Sequence, residues 1–529
     1  MNQGTELHTL VDLLQLSRAR YGDRVALALR SREGREEWTY NDLAVRAAAV
    51  RIGLERLGVG PGDRVAIWSP NEPWWPAAMF GVFQVGAVLV PLDARGTADF
   101  ARRVVALTEC KVVLLGRDQL SQIGEVSAAA LPLGSFADCI PDAERAVDPP
   151  RPIGARDLAE IVFTSGTTGE PKGVMVTHGN LAANVVSFSP HLPGNPDYRL
   201  LSLLPLSHLF EQTVGLCYLL WCGSSVTYVQ TLQPASIFEA VNLDRINGIL
   251  AVPQVLNLFY QAIEREVQRL GKQRAWGIAH AVAARLPFGL RKYLFKNVHA
   301  KLGGAFQFFV SGGAHLDPII AERWERMGIA VIQGYGATEC SPAVTATSLA
   351  RRKLDSIGKP LPCNEVRLAE DGEIVVRGAN VSPGYWNNPR ATEEVFRDGW
   401  YHTGDIGSID AEGYVYIRGR KKNLIVLGNG MNVYPEDVEA ALLQAPGVRD
   451  AVVLGLPDGI GDVQVHAVLL LAEGATAAEV TRAANRSLAA HQRIGGSTVW
   501  PDPDFPRTPT LKAKRQPIVE HVQAAATRG

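Results

Sequence analysis

Ten residues constrain this chain more than any others: Thr164-Ser165-Gly166-Thr167-Thr168-Gly169-Glu170-Pro171-Lys172-Gly173. They lie between two apolar runs of strand character, Ala159-Glu160-Ile161-Val162-Phe163 and Val174-Met175-Val176. Glycines let backbone N–H groups crowd around an anion, the hydroxyls add donors, and the lysine adds a full charge. The spacing therefore predicts a phosphate-holding loop between two strands. It is not the common Gly-x4-Gly-Lys-Ser/Thr loop, because Lys172 precedes the last glycine and Val174 follows it.

A chain of 529 residues exceeds what one hydrophobic core supports, so two or more domains are expected. Hydrophobic content of 47% and charged content of 20% suit a globular enzyme. A formal charge of −1 gives no electrostatic reason to expect nucleic acid as a partner. The six cysteines are scattered, with no CxxC pair and no zinc-spaced histidines, and read as reduced thiols of a cytosolic protein. No basic segment leads into an apolar run at the N-terminus, so no secretory signal is expected. The longest apolar stretch, near Met79 to Leu92, is interrupted by Gln84 and two glycines and falls short of the ~20 residues a membrane span needs.

Periodicity divides the chain. From about 10 to 150, helical patterns (Leu43 to Leu57, Trp74 to Val85) alternate with strand patterns (Arg64 to Trp68, Val88 to Val90), which predicts parallel sheet with crossover helices. A second α/β region is expected from about 175 to 350. Short strands and Gly/Asn/Pro turns from about 355 to 418 predict a small β-rich, barrel-like subdomain. After Gly419-Arg420-Lys421-Lys422 a compact α+β pattern begins, with a helix near Pro435 to Gln444, strands near Ala451 to Gly455 and Gln464 to Leu471, and a helix near Ala477 to Ala490.

Further motifs follow the loop. Gln333-Gly334-Tyr335-Gly336-Ala337-Thr338-Glu339 succeeds an apolar run, and glycines flanking an aromatic allow a flat base to lie against backbone and ring. Thr338 can donate to a phosphate oxygen and Glu339 can hold Mg²⁺. Tyr401-His402-Thr403-Gly404-Asp405 supplies an aspartate suited to a ribose diol. Gly419-Arg420 follows, and the basic run from Pro506 to Arg515 contains Lys512.

In this order the motifs resemble the AMP-binding, adenylate-forming superfamily of acyl-CoA synthetases, luciferases and peptide-synthetase adenylation domains. The resemblance runs from Trp38-Thr39-Tyr40 to Lys512. It implies an α/β fold: a large N-terminal domain over 1–419, made of two α/β subdomains plus the small β-rich one. A hinge near 420–423 and a mobile C-terminal lid over 420–529 would complete it. It also implies two half-reactions, a carboxylate attacking the α-phosphorus of Mg·ATP to give acyl-AMP, then a thiol displacing AMP. By resemblance, Lys512 bridges carboxylate and phosphate, Glu339 anchors Mg²⁺, and Thr338 with Thr164, Ser165, Gly166, Thr167, Thr168, Gly169 and Lys172 holds phosphates. Asp405 and Arg420 would take the ribose, and Gln333, Gly334, Tyr335, Gly313 and Ala314 the adenine.

Leu204-Pro205-Leu206-Ser207-His208-Leu209-Phe210-Glu211 matches the segment bordering the acyl site, which gives His208 a gating or carboxylate-contacting role. Leu209 stands where amino-acid-activating members carry an aspartate, against an α-amino acid. Val255 to Leu270 reads as an amphipathic helix with apolar residues at 255, 258, 259, 262, 263, 267 and 270. Arg285 to Leu302 mixes basic and apolar residues. Three readings stay open for this 255–302 stretch: core-packed helices with a solvated basic face, an acyl tunnel wall, or a face on anionic membrane. The stretch resembles the long-chain fatty acyl-CoA synthetase branch. A fatty acid, ATP and CoA are the expected substrates of a cytoplasmic enzyme, peripheral to the inner membrane surface if that face is used. The alternatives are a fatty acyl-AMP ligase loading a separate carrier protein, and a non-catalytic nucleotide- or acyl-binding relative. Asn423, Val426 and Leu511 depart from the family pattern at the hinge, the thiol step and the lysine loop. No fused carrier domain is expected after Lys512.

Overall fold

The structure is a computed structural model that describes residues 7–149, 151–164, 171–429, 431–457, 463–507 and 513–526. Ser165, Gly166, Thr167, Thr168 and Gly169 of the phosphate loop, Leu511 and Lys512 lie outside the described residues, as does the side chain of Thr164. The chain divides into two units. One comprises Met1–Val366 with Val376–Tyr401, the other Arg367–Val375 with His402–Gly529. This division follows packing density; the hinge expected at 420–423 concerns motion.

Among the described residues the first unit holds two large sheets. A seven-stranded sheet runs in the order Gly384–Tyr385, Lys172–Thr177, Leu158–Thr164, Val88–Leu92, Arg64–Trp68, Val112–Leu115, Ala129–Pro132. Its last four strands are parallel, as the alternation predicts. They are apolar on both faces. Val65, Ile67 and Leu89 join the main core, while Ala66, Trp68, Val88 and Val90 pack into a second core across the sheet. Helix Trp74–Val85 is apolar all round and almost wholly buried. It packs on helix Tyr40–Arg56, which begins in a capping box of Thr39 and Asp42. A Cβ on Gly81 would lie 2.6 Å from Val50 and 2.8 Å from the Ala47 carbonyl, so this crossing requires glycine.

Leu158–Thr164 and Lys172–Thr177 pair antiparallel, with Thr164 opposite Lys172 as the last pair. The predicted phosphate loop therefore connects two paired strands that lie inside the sheet. A nine-stranded sheet follows the order Lys359–Pro360, Ala343–Ala346, Ala330–Gly336, Phe308–Ser311, Gly248–Ala251, Arg199–Leu201, Ser225–Val229, Val25–Ser31, Gly34–Thr39. Its last two strands come from the N-terminal hairpin, which joins this sheet rather than the one formed by the residues after it.

The 255–302 stretch differs from its prediction. Helix Pro253–Arg269 buries Leu256, Phe259 and Tyr260, whereas Leu258 and Leu270, both assigned to the apolar stripe, are exposed. A further helix, Gln273–Ala283, follows, and Arg285 to Leu302 breaks into Phe288–Leu294 and Lys296–Lys301. Pro287 sets the first of these breaks by ending any continuous helix before it.

In the second unit, Val448–Pro457 and Val463–Leu471 pair antiparallel, and Ile494–Val499 adds in parallel. Side chains alternate across this sheet. Ala451, Val453, Val465, Ala467 and Leu469 meet residues of helices Pro435–Leu443 and Ala477–Asn485; Val452, Leu454, Leu456, Val468 and Leu470 meet Trp500, Phe505, Ile518 and Val522. The helix predicted to reach Ala490 ends at Asn485, because the Asn485 amide exchanges two hydrogen bonds with the Ile494 backbone and turns the chain.

Candidate active site

Strand ends carry the chemistry of the first unit. Ala330–Gly336 delivers Gln333, Gly334 and Tyr335, and a single 3₁₀ turn, Thr338–Cys340, presents Thr338 and Glu339. Gly336 is obligatory: a Cβ there would lie 1.9 Å from the Pro342 carbonyl. Gln333 is buried, and its Oε1 has no hydrogen-bond partner among the described residues. A buried amide acceptor without a partner is costly unless a donor is supplied, and an exocyclic amino group would supply one. Gly312, Gly313 and Ala314 follow strand Phe308–Ser311, with Gly313 at φ 79°. A Cβ on Gly312 would meet the Phe210 ring at 3.2 Å and the Gly334 carbonyl at 3.3 Å. The turn assigned to adenine therefore abuts both the Gln333-Gly334 strand end and the segment assigned to the acid.

Tyr385, which the sequence reading did not single out, joins two predicted groups. Its hydroxyl donates to Glu339 Oε1 at 2.7 Å, and Lys172 Nζ lies 5.3 Å from its ring centroid. Strand Gly384–Tyr385 pairs with Lys172–Thr177, which puts the ring beside the lysine. Burial, reinforced by the Glu339 charge, holds the phenol protonated far above its ordinary range, so it remains a donor. No group of three His, Cys, Asp or Glu suited to a metal occurs among the described residues. One carboxylate, Glu339, fits a Mg²⁺ ion carried on substrate phosphates rather than one held in a protein cage.

At the acyl segment, His208 Nε2 lies 3.2 Å from Asp93 Oδ2. Asp93 follows strand Val88–Leu92 and also accepts from the Arg95 backbone and guanidinium at 2.9 to 3.1 Å. Burial pushes its carboxyl up, but the bonds from His208 and Arg95 outweigh that and hold it well below the usual carboxylate range. The available signal was its place at the C-terminal end of a parallel strand, where α/β sheets bind ligands. Phe210–Cys217 forms a π-helix, a rare geometry found at functional sites. Glu211 on it and Glu160 on the strand entering the phosphate loop are fully buried, and burial pushes both carboxyls up to about 8.

The second unit contains Asp405 and Arg420. They sit directly opposite each other in hairpin Trp400–Ile409/Val415–Arg420, with Arg420 Nε 2.7 Å from Asp405 Oδ1. Asp405 is buried and Arg420 exposed. Glu373, also missed by the sequence reading, braces this hairpin. It accepts from the Gly404 amide at 2.8 Å, lies 3.2 Å from His402 Nδ1 and takes Lys421 at 3.2 Å. His402 thereby has a structural partner. Lys421 and Asn423 lie in one 3₁₀ turn, and Val426 is exposed.

The ends of the Lys512 loop are anchored in the same unit. Arg507 and Ala513 form an antiparallel bridge, and the Lys514 amide donates to the Pro506 carbonyl at 2.7 Å. Arg507 bonds Asp504 at 2.8 Å and Asp450 at 2.7 Å, while Arg515 bonds the Val453 carbonyl at 2.6 Å and Glu439 at 2.5 Å. These two arginines of the basic run are tied into the unit's own scaffold.

Residues 14–386 match the AMP-binding enzyme family. A feruloyl-CoA synthase of Amycolatopsis sp is 33% identical over 84% of this chain and 85% of its own. Long-chain-fatty-acid–CoA ligase FadD15 of Mycobacterium bovis is 32% identical, covering 78% of this chain and 74% of its own. Among solved structures, ATP-bound MatB from Rhodopseudomonas palustris superposes with a TM-score of 0.79 at 26% identity, over 97% of this chain and 98% of that one. The chain belongs to the AMP-binding enzyme family.

Proposed function

We propose that this enzyme activates a medium- to long-chain fatty acid as acyl-AMP and transfers the acyl group to CoA. Joining an acid to CoA is what its relatives' names have in common, and the matching family is one of AMP-binding enzymes. The observation that carries adenylation is the Lys172–Tyr385–Glu339 arrangement, in which the lysine that closes the phosphate hairpin and the carboxylate suited to Mg²⁺ both contact one tyrosine.

In the first step a carboxylate oxygen bonds to the α-phosphorus and the bond to pyrophosphate breaks. Bringing a carboxylate to a polyphosphate opposes like charges, at about 4 kcal/mol per unit pair 4 Å apart in an effective dielectric of 20. Lys512 is assigned to relieve that repulsion, and Thr338 with the 164–172 loop to hold the departing phosphates. Mg²⁺ on Glu339 would add Lewis-acid charge stabilisation. Gln333, Gly334, Tyr335, Gly313 and Ala314 are assigned to adenine and Asp405 with Arg420 to ribose. In the second step the CoA thiol bonds to the acyl carbon and AMP leaves, with the lid over 420–529 hinged near 420–423.

Leu209 supports an acid without an ammonium group, because no carboxylate stands there to pair one. A specific observation favours a second reading: the feruloyl-CoA synthase relative points to an aromatic hydroxy acid. Pyrophosphate exchange across acetate to palmitate and ferulate, followed by a search for the CoA thioester, separates them. Turnover restricted to ferulate would overturn the fatty-acid assignment, and acyl-AMP accumulation without thioester would favour a carrier-protein acceptor. Absence of exchange with every acid would favour a non-catalytic relative.

A further inference from the structure

Fifty consecutive residues, Val267 to Leu316, contain eight Lys or Arg and no Asp or Glu. The whole chain is nearly neutral, with 53 basic and 54 acidic residues, so this segment is a pronounced local concentration of positive charge. As far as Lys301 it folds as helices on the surface of the first unit, before the chain enters the buried strand Phe308–Ser311. Helix Gln273–Ala283 is held by its inner stripe: Trp276 and His280 lie 5.3 and 4.9 Å, centroid to centroid, from Phe295, and Tyr260 packs on Trp276 at 6.4 Å.

The outer stripe of that helix is apolar as well. Ile278 is 66% exposed and Val282 is 42% exposed, one turn apart, with Arg274 a turn before and Arg285 a turn after. The neighbouring helix Phe288–Leu294 buries none of its residues. Its Leu290, Tyr293 and Leu294 are 50%, 67% and 41% exposed, at the spacing of one helix face. Lys272, Arg274, Arg285, Lys292 and Lys296 have no carboxylate within ion-pair distance among the described residues, whereas Arg269 and Lys301 are paired to Glu266. Arg291 is held by two carbonyls, those of Leu286 and Glu325, at 3.0 and 3.1 Å, and Arg285 by a single longer contact to the Ala281 carbonyl at 3.4 Å within its own helical turn.

The core of the unit does not use these apolar side chains, and water does not favour them. Leu and Ile interleaved with unpaired cations, with a tyrosine whose ring is apolar and whose hydroxyl is polar, is the composition of a helix lying in the headgroup layer of a bilayer. No helix among the described residues is long and apolar enough to cross a membrane, so this contact would be in the plane.

We propose that helices Gln273–Ala283 and Phe288–Leu294 form a docking face for an anionic lipid bilayer, with the apolar stripe entering the interface and the five basic residues that lack a carboxylate partner meeting lipid phosphates. The inference rests on charge and exposure and holds whichever acid the enzyme activates.

The test is sedimentation of the full-length protein with sucrose-loaded vesicles of phosphatidylcholine alone or with about one third phosphatidylglycerol. Binding is expected to the anionic vesicles only, and to fall as NaCl is raised. Arg274→Glu with Lys292→Glu, and separately Ile278→Glu with Tyr293→Glu, should each lower the partition coefficient on the order of tenfold while keeping the parental melting curve. No binding by the parent protein, equal binding to neutral vesicles, or undiminished binding by both variants would overturn the proposal. So would a dimer abolished by Ile278→Glu in place of vesicle binding, since the face would then belong to a second copy.

Discussion

Two loops in this enzyme each carry a lysine assigned to the nucleotide, and they are held in opposite ways. The loop after Thr164 is closed by a β-hairpin within a seven-stranded sheet, where Ile161 is wholly buried and Leu158–Thr164 lies beside Val88–Leu92. The loop after Arg507 is closed by one bridge and by ion pairs: Arg507 with Asp450 and Asp504, and Arg515 with Glu439. Burial anchors the first, whereas ion pairs join the packing of Phe505 and Ala513 in anchoring the second. Apolar burial does not depend on charge screening or protonation, whereas partly exposed ion pairs answer to both. The lysine assigned to the developing charge is thus the one whose support answers to salt and pH.

The largest expected effect comes from removing the lysine of the second loop. Lys512→Ala should lower acyl-AMP formation about 10²- to 10³-fold, read by pyrophosphate exchange, while thiolysis of supplied acyl-AMP stays close to parental. Equal loss of both steps would remove the lysine's assignment to adenylation.

Next comes the buried anchor. Ile161→Ala should cost about 2–5 kcal/mol in urea unfolding, by the same amount at low and high salt. A salt-dependent loss would contradict the contrast drawn between the loops.

Glu160 sharpens the comparison, because it is an ionisable group on the apolar anchor. Its carboxyl is raised from 4.5 to about 8, so the folded state keeps a proton that the unfolded chain releases. Stability from this site is therefore fully present below pH 4.5 and is lost as pH climbs through 8. Glu160→Gln should gain stability over the parent with rising pH, at about 1.4 kcal/mol for each pH step inside that window, and match it below pH 4.5. A flat difference across pH, followed by chemical denaturation, would show that burial does not keep the proton on Glu160.

The smallest effect is at the charged anchor. Arg507→Ala should cost about 1–2 kcal/mol, held down by the exposure of Asp504. Arg507 holds the Asp504 carboxyl below its ordinary 3.8, so the bond's contribution is present above that value and lost as pH falls through the folded-state value. The difference from the parent should shrink in high salt and below about pH 4. Melting curves across NaCl and pH would check it.

Much of this was legible in the chain. The strand–loop–strand pattern at 158–177, the glycine-flanked aromatic at 334–336 and the parallel strands at 64–68 and 88–92 follow from period and turn chemistry, which are local properties. The helix boundaries within 255–302 and the end of helix Ala477–Asn485 were less legible. They depend on which side chains find distant partners, as the Asn485 amide does with Ile494.

Sequence by itself determined the types of group present and their order: a hydroxyl- and glycine-rich loop between two strands, a carboxylate after a Tyr-Gly turn, an aspartate and then an arginine, and a lysine in a basic run. Tertiary structure decided which of them are neighbours. Asp93 meets His208 across 115 residues, Tyr385 meets Glu339 across 46, and Arg507 meets Asp450 across 57. Strand order sets those meetings, and strand order depends on burying every apolar face at once. No local pattern contains that condition.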